Sequence, residues 1–378
     1  MSTMLSDGRR RQLLRVSLGI GASVAVPFAS RSAPAAERGP STAAPPGVLP
    51  ALQWQERNLL GFGTTLSLRA GHRNAQQLSA ALLAAIAEIR AIEQLMSLFD
   101  ADSAVCRLNT DGVLRQPDFR LLDVLTLARQ VSKRSDGAFD VTMQPLWHVW
   151  QNAAKQGRLP TTAQLASARA KVDWRKLEFD ATAIRLRAPG MAVSLNGIAQ
   201  GYAADRARAA LLQHGVEHAL LDTGEWAPLG QADDGARWQL GVANPHQRDA
   251  LMATLATDGR CVATSSDDRT VFSTDRVHHH IIDPRLGQSP KLLSSVTVVA
   301  DSGALADALT KVFFMAETQL GLLPPIAASA ILAPRGQQFD ARLARVAGAI
   351  AMTWQVDALL VDKHGAWWAT PGLRIKAT

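Results

Sequence analysis

The stretch MAVSLNGIAQGYAADRARAALLQHGVEHALLDTGEW, residues 191–226, decides how the chain is read. Met191 to Leu195 is a short apolar run that predicts a strand, and Asn196-Gly197 ends it with residues that tolerate unusual backbone angles. The spacing of Tyr202, Ala203, Ala207, Ala210 and Leu211 predicts an amphipathic helix, with Arg206 and Arg208 off its apolar face and Gly215 as its C-terminal stop. Ala219 to Leu221 predicts a second strand, running into Asp222-Thr223-Gly224. Short turns expose backbone amides and a helix start adds partial positive charge, so this unit suits a phosphate-bearing ligand. The same unit also serves as plain scaffold.

Upstream, Leu59 to Leu68 mixes glycine with Phe62, Thr64 and Thr65 and predicts an edge strand. Leu78, Leu82, Ala85, Ile86, Ile89, Ile92, Leu95 and Met96 predict a long amphipathic helix. Asp100 and Asp102 in the following turn are read as backbone caps rather than cation ligands. Pro117-Asp118 opens a second helix through Leu122, Leu125, Ala128 and Val131. Trp147 and Trp150 suit core or rim packing, with a planar ligand as their other use. Pro160-Thr161-Thr162 marks a helix start, and Val172 to Arg187 a hairpin.

Downstream, Trp238 to Val242 predicts a strand, and Thr264-Ser265-Ser266 offers three hydroxyls to a phosphate or to a polar turn. In His278-His279-His280, strand alternation sends His279 away from its neighbours. That weakens a three-histidine metal site and favours one histidine near a reacting phosphate. Ser294 to Ala300 predicts a strand, and Asp301 or Ser302 caps the helix after it. In that helix Lys311 follows Asp307 by one turn, with Thr310 on the edge of the same face. A solvent salt bridge explains the pair, and a carboxylate beside a hydroxyl also suits Mg²⁺, which prefers oxygen ligands. An alanine-rich helical patch after Pro324-Pro325 and a hairpin over 358–368 end the chain.

The chain has 378 residues, enough for one large core or two modest ones. Residues 1–35 have the layout of an export signal: Arg9-Arg10-Arg11-Gln12-Leu13-Leu14, the apolar run Val16 to Phe28, then Ala33-Pro34-Ala35. The paired arginines fit the twin-arginine route to the periplasm, and the apolar run is short of the roughly 20 residues that span a bilayer. Residues 36–50 read as a flexible linker and 51–378 as one domain. Of the formal charge of +7, five arginines against one aspartate lie in residues 1–35. The remaining weak positive balance, with no Lys/Arg stripe, gives no argument for nucleic acid, and no stable membrane span is expected. Cys106 and Cys261 are read as buried thiols, a single disulfide being the other possibility.

Ser194-Leu195-Asn196-Gly197-Ile198-Ala199-Gln200-Gly201-Tyr202-Ala203-Ala204-Asp205 resembles the Asp-Leu-Gly-Gly-Ile-Ala-Lys-Gly-Tyr-Ala-x-Asp pattern of the ApbE family of FAD:protein FMN transferases. Further matches follow the family's order: Met96-Ser97 with Ser103 and Leu108-Asn109, Gly137-Ala138-Phe139-Asp140 with Pro145-Leu146, Ala263-Thr264-Ser265, His280 to Arg285, and Ala306-Asp307-Ala308-Leu309. The resemblance covers about residues 58–318. It implies an α+β flavin-transferase fold with mixed or antiparallel sheets and packed helices, and not a Rossmann domain. It also implies that FAD binds, that Mg²⁺ neutralises its pyrophosphate, and that a Thr of a target flavoprotein takes up FMN as AMP leaves. The implied FAD-binding residues are Met96, Ser97, Asn109, Phe139, Asp140, Asn196, Gly197, Gln200, Gly201, Tyr202, Asp205, Gly224, Glu225, Thr264 and Ser265. His280 is the implied base or proton shuttle, and Asp307, Thr310 and the carbonyl of Ala199 the implied Mg²⁺ ligands.

Four departures from the pattern matter. Lys311 stands where the family has Thr, Ser194 and Gln200 replace an acid and a lysine, and Glu225-Trp226 replaces Gly-Asp. The Ser-Leu-Asn-Gly-Ile-Ala-Gln-Gly-Tyr form is similar to an exported, NosX-like branch linked to nitrous oxide reductase maturation, which implies a membrane flavoprotein of the NosR type as partner. Lys311 keeps two alternatives in view: a non-catalytic periplasmic FAD-binding or delivery protein, and a Mg²⁺-dependent FAD pyrophosphatase.

Overall fold

A hairpin opens the structure. Gln53–Gly61 (β1) pairs antiparallel with Thr64–His72 (β2) through Phe62-Gly63, whose φ angles are 48° and 75°. Positive φ at both turn residues is the type I′ geometry that follows the twist of the strands. The single edge strand expected over 59–68 is therefore two strands, with the expected glycine signal belonging to the turn; β1 is the sheet edge. The computed structural model describes residues 51–247, 249–322 and 338–377. The signal, the linker and Pro324-Pro325 lie outside these.

Asn74 caps the long helix Ala75–Met96 (α1) by accepting from the amides of Gln76 and Gln77. Its inward face holds Leu78, Leu82, Ala85, Ile89, Ile92 and Met96, all at most 1% exposed. Burying each larger side chain contributes about 1.5–3 kcal/mol, so this stripe fixes α1 firmly on the core. Ala104–Asp111 (α2), Val113–Arg115 (β3) and Phe119–Arg134 (α3) follow, the last capped by Asp118. Gln144–Lys155 (α4) leads to Thr162–Arg169 (α5), which starts in a reciprocal Thr161/Gln164 capping box. Leu177–Phe179 (β4) and Ala183–Leu186 (β5) form the expected hairpin and join β3 in a small sheet.

The central unit contains Ala199–Gln213 (α6), His218–Asp222 (β6) and Trp226–Leu229 (β7). Gln239–Ala243 (β8), Leu251–Ala256 (β9), Cys261–Ser266 (β10) and Leu293–Ala300 (β11) come next. Gly303–Phe314 (α7), Ala341–Trp354 (α8), Asp357–Asp362 (β12), Trp367–Ala369 (β13) and Ile375–Ala377 (β14) complete the described elements. The main sheet has eight strands in the order β1-β2-β6-β7-β10-β11-β12-β13, and each of its pairings is antiparallel.

Both faces of this sheet are covered. Along β10 and β11, Cys261, Ala263, Val296 and Val298 face the helical core, whereas Val262 and Val299 join Trp226 and Leu359 against the β8-β9-β14 sheet. That alternation follows from the two-residue period of a strand. It also explains why all eight residues of β11 are buried. On the helical side α6 packs against α1 and α7, and α7 lies on β10 and β11. The helices α6 and α7 meet at glycines: a Cβ on Gly201 would fall 2.1 Å from the carbonyl oxygen of Gly303. Such an approach excludes any side chain there.

Two local expectations are corrected. Met191 to Leu195 is extended but joins no sheet, making one isolated bridge between Ala192 and Met143. Asn109 explains why: its side-chain amide accepts from Val193 N at 2.6 Å and donates to Val193 O at 2.9 Å, taking the groups a neighbouring strand would use. His278 to His280 is likewise no strand, since the segment makes only the Val271–His279 bridge. Its alternation survives in part, because His279 is fully buried against Phe314 while His278 stacks on Trp150 at 4.7 Å.

Candidate active site

The glycine turn at 196–198, the start of α6, the β6–β7 connection, the end of β10 and the middle of α7 converge on one cluster. Its centre is Asp307, 2% exposed on α7. Lys311, one turn later and 21% exposed, forms an ion pair with Asp307 Oδ1 and donates to the Asp307 main-chain oxygen at 3.0 Å. The second carboxylate oxygen accepts from Gly201 N at 3.3 Å. Gly197 lies over the lysine stem, because a Cβ there would be 3.2 Å from Lys311 Cε and 3.4 Å from Phe139 Cε2. The spacing of Asp307 and Lys311 predicts that they face each other; the tertiary fold buries the acid end of the pair.

Glu225 lies beside this pair, 4% exposed, accepting from Thr264 N at 3.0 Å. Burial and then repulsion from Asp307 push its carboxyl well above the usual range, against the opposing pull of Lys311. Asp222 is pushed up to about 6 by burial, although Gly224 N donates to it. Ser265 and Thr310 share a hydroxyl hydrogen bond of 2.7 Å, and Thr310 Oγ1 donates to Asp307 O at 2.7 Å. His280 is half-buried, with Nδ1 3.3 Å from Thr270 O. Burial, with a smaller contribution from the Lys311 charge, pushes it down to about 4, so it is neutral at pH 7. With its proton on Nδ1 toward Thr270, the Nε2 lone pair is free to accept one.

The cluster unites Gly197, Phe139, Gly201, Glu225, Thr264, Ser265, Asp307 and Thr310 with Lys311, and His280 feels its charge. Other residues expected to touch FAD also hold the frame. Met96 is 1% exposed within the core, and Ser97 caps α1 and accepts from Phe99 N. Asn109 pins Val193, while Asp140 accepts from Thr142 and from Trp174 N. Gln200 and Thr223 exchange side-chain bonds with each other's main chain, which ties α6 to the β6–β7 turn. Tyr202 donates to Asp123 at 3.0 Å. Asp205 accepts from Ser302 Oγ at 2.7 Å, Gly303 N at 2.7 Å and Ala304 N at 3.0 Å, anchoring the start of α7. These bonds tie the segments around the Asp307 cluster together. Asn196 sits in the glycine turn and Gly224 in the β6–β7 turn with φ of 93°.

A second charge cluster had no signal in the sequence. Asp267, 1% exposed, pairs with Arg276 and Lys363 and accepts from Ser294 at 3.1 Å, drawing the 267–280 segment onto β11 and β12. Its partners are scattered along the chain, and no local spacing links them. The two cysteines are free, Cys261 buried and Cys106 half-buried. An open, mostly apolar hollow between α4 and α5 is lined by residues such as His148, Ser167 and Ala192 and shares none of its lining with the Asp307 cluster.

The donor set does not fit the Mg²⁺ ion that the resemblance implies. Mg²⁺ demands near-octahedral oxygen coordination at about 2.0–2.1 Å. Of the expected ligands, Asp307 is engaged by Lys311 and Gly201, Thr310 by Asp307 O and Ser265, and Ala199 is the first residue of α6, where its carbonyl enters the helical ladder. An ammonium already sits on the carboxylate that a metal ion needs.

Comparison with known proteins supports one family. The model of the ApbE family matches residues 62–323. A protein of Salmonella typhimurium named FAD:protein FMN transferase is 30% identical over an alignment of 233 residues that covers 58% of this chain and 66% of that one. A Klebsiella pneumoniae protein of the same name is 30% identical over an alignment of 236 residues that covers 60% of this chain and 72% of its own. The match thus spans about two thirds of the length of these relatives. Among solved structures, ApbE of Thermotoga maritima superposes with a TM-score of 0.70 at 24% identity, covering 84% of this chain and 97% of that one. The apo flavinyl transferase ApbE of Pseudomonas stutzeri gives 0.67 at 25% identity, covering 84% and 94%.

Proposed function

This chain belongs to the ApbE family, and on that premise we propose that it is an FAD:protein FMN transferase. The observation that carries the reading is the buried Asp307–Lys311 pair beneath the Gly197 turn, with neutral His280 within its electrostatic reach. A partly exposed ammonium is thereby held beside a glycine-rich turn, with a proton acceptor in electrostatic range of it. In the reaction the hydroxyl oxygen of the acceptor Thr bonds to the phosphorus of the FMN half of FAD. The bridging P–O bond breaks, AMP leaves with that electron pair, and the hydroxyl proton passes to Nε2 of His280. The Gly197 turn and α6 start supply amides and a favourable dipole end for the phosphates, and the buried surroundings keep these charges effective.

The acceptor is a target flavoprotein, and the NosX-like form of residues 194–202 favours a NosR-type membrane protein. Residues 1–35 support export by the twin-arginine machinery and a periplasmic location. No helix among the described residues is long and apolar enough to cross a membrane.

The test is incubation of the protein with FAD and a NosR-type acceptor domain, followed by intact-mass spectrometry and quantification of AMP. A mass gain of one FMN per acceptor, with stoichiometric AMP, is expected. FAD binding with neither product would identify a carrier, and AMP with free FMN but no adduct would identify a pyrophosphatase.

A further inference from the structure

The occupied carboxylate of Asp307 disagrees with the divalent ion that family membership implies. We propose that Lys311 is a tethered cation in place of that ion, and that this chain binds FAD through the Lys311 ammonium without a divalent metal. The proposal deepens the transferase reading, but its binding measurements do not depend on transfer.

Three observations carry it. An ammonium has three N–H donors, and Lys311 spends two on Asp307, one on Oδ1 and one on the main-chain oxygen. Among the described residues the third has no protein acceptor, and Lys311 is 21% exposed where Asp307 is 2% exposed. The head group therefore stands between a buried carboxylate behind it and the open side of the site in front. Second, the lysine is held in place: its stem runs beneath Gly197 beside Phe139, and its attachment one turn from Asp307 keeps the pair on one helix face. Gly197 is what makes room, since a side chain there would press on Cε.

Third, the oxygens around the pair are bonded to one another. Thr310 and Ser265 close on each other and on Asp307 O, and Gly201 N takes the remaining carboxylate oxygen. A divalent ion would have to displace the ammonium and reopen these bonds. A lysine point charge needs neither step and is a common partner of phosphate oxygens. Asp307 then acts as a positioning residue that fixes the ammonium, while Lys311 contacts the substrate.

The experiment uses chelator-treated full-length protein in two titrations, Mn²⁺ followed by electron paramagnetic resonance and FAD followed by flavin fluorescence. Wild type is expected to bind FAD equally with and without EDTA, and to bind Mn²⁺ no better than Asp307→Asn. Lys311→Thr should create a Mn²⁺ site about tenfold tighter or more and make FAD binding EDTA-sensitive; Lys311→Met should weaken FAD binding by about tenfold with no gain in Mn²⁺ affinity. Stoichiometric Mn²⁺ binding by wild type that Asp307→Asn abolishes, or FAD binding lost in EDTA, would overturn the proposal. So would wild-type FAD affinity in a folded Lys311→Met protein. The wild-type FAD titration with and without EDTA needs no variant, so a loss of binding in EDTA overturns the proposal even if a variant misfolds. Where turnover is measurable, AMP release surviving EDTA supports the proposal and its loss contradicts it. Absent turnover under every condition counts against transfer alone, and the titrations then decide the role of Lys311.

Discussion

Asp205 on α6 and Asp307 on α7 both lie between these two helices, yet their partners differ in kind. Asp205 meets a hydroxyl and two amides at the start of α7, fixed donors that cannot move without undoing the helix. Asp307 meets a lysine ammonium that keeps a donor in reserve and a part of its surface open. A carboxylate satisfied by neutral donors acts as a pin, and one satisfied by a tethered cation with a donor to spare acts as a seat for a further anion. The pin and the seat depend on each other, since Asp205 sets where α7 begins and hence where Asp307 and Lys311 stand against the glycine turn.

The sharpest way to break this arrangement is at the glycine contact. Gly201→Ala should destabilise the protein by about 3 kcal/mol, read from the denaturant midpoint, because the new methyl meets the main chain of Gly303 and no rotamer relieves it. Asp205→Ala should cost about 2–3 kcal/mol by leaving three donors at the start of α7 unpaired. A loss of less than about 0.5 kcal/mol, the range of an ordinary surface change, would show that α7 is anchored otherwise. Lys311→Met should cost about 2 kcal/mol, since it strands a buried carboxylate, and adding Asp307→Asn should restore most of that loss. Non-recovery in the double variant would mean that Lys311 supports the fold through more than its charge.

The smallest expected effect concerns pH. Burial holds His279 and His280 down at about 3 and about 4, against 6.5 for an ordinary imidazole. Their contribution to stability is fully present above 6.5 and is lost as pH falls toward those values, because the unfolded chain takes up protons first. Asp222, raised to about 6, works the other way: its contribution is present below its ordinary 3.8 and is lost as pH rises through 6. The histidines therefore make the melting temperature fall on acidification between pH 6.5 and 4, while Asp222 and the other acids raised by burial, Asp140, Asp205, Glu225 and Glu317, oppose that slope. His279→Gln should flatten it further, and an unchanged slope in that variant would remove His279 from this explanation.

Much of this architecture is written in local spacing. The period of Leu78 to Met96 locates α1, Tyr202 to Leu211 locates α6, and Asp118, Thr161 and Ser302 mark helix starts as capping residues do. The strand expected at Met191 to Leu195 fails because Asn109, far away in sequence, takes both main-chain groups of Val193. In the site, the Asp307–Lys311 pair is legible because both residues share one helix face. The joining of Glu225 to Thr264 and of Ser265 to Thr310 depends on strand order and on how α7 crosses β10, which pairwise spacing does not encode. Asp205 reads as a ligand contact because its position in the motif carries no sign of what it bonds. Only the tertiary fold separates an acid that holds a helix from one that holds a charge.

The most direct measurement compares FAD affinity, in buffer containing EDTA, between wild type and the Asp307→Asn/Lys311→Met double variant, with the melting temperature of each recorded alongside. The expected result is an intact fold with FAD affinity lowered by about tenfold or more. Equal affinity in a double variant as stable as wild type would contradict a role for the Lys311 ammonium in holding FAD.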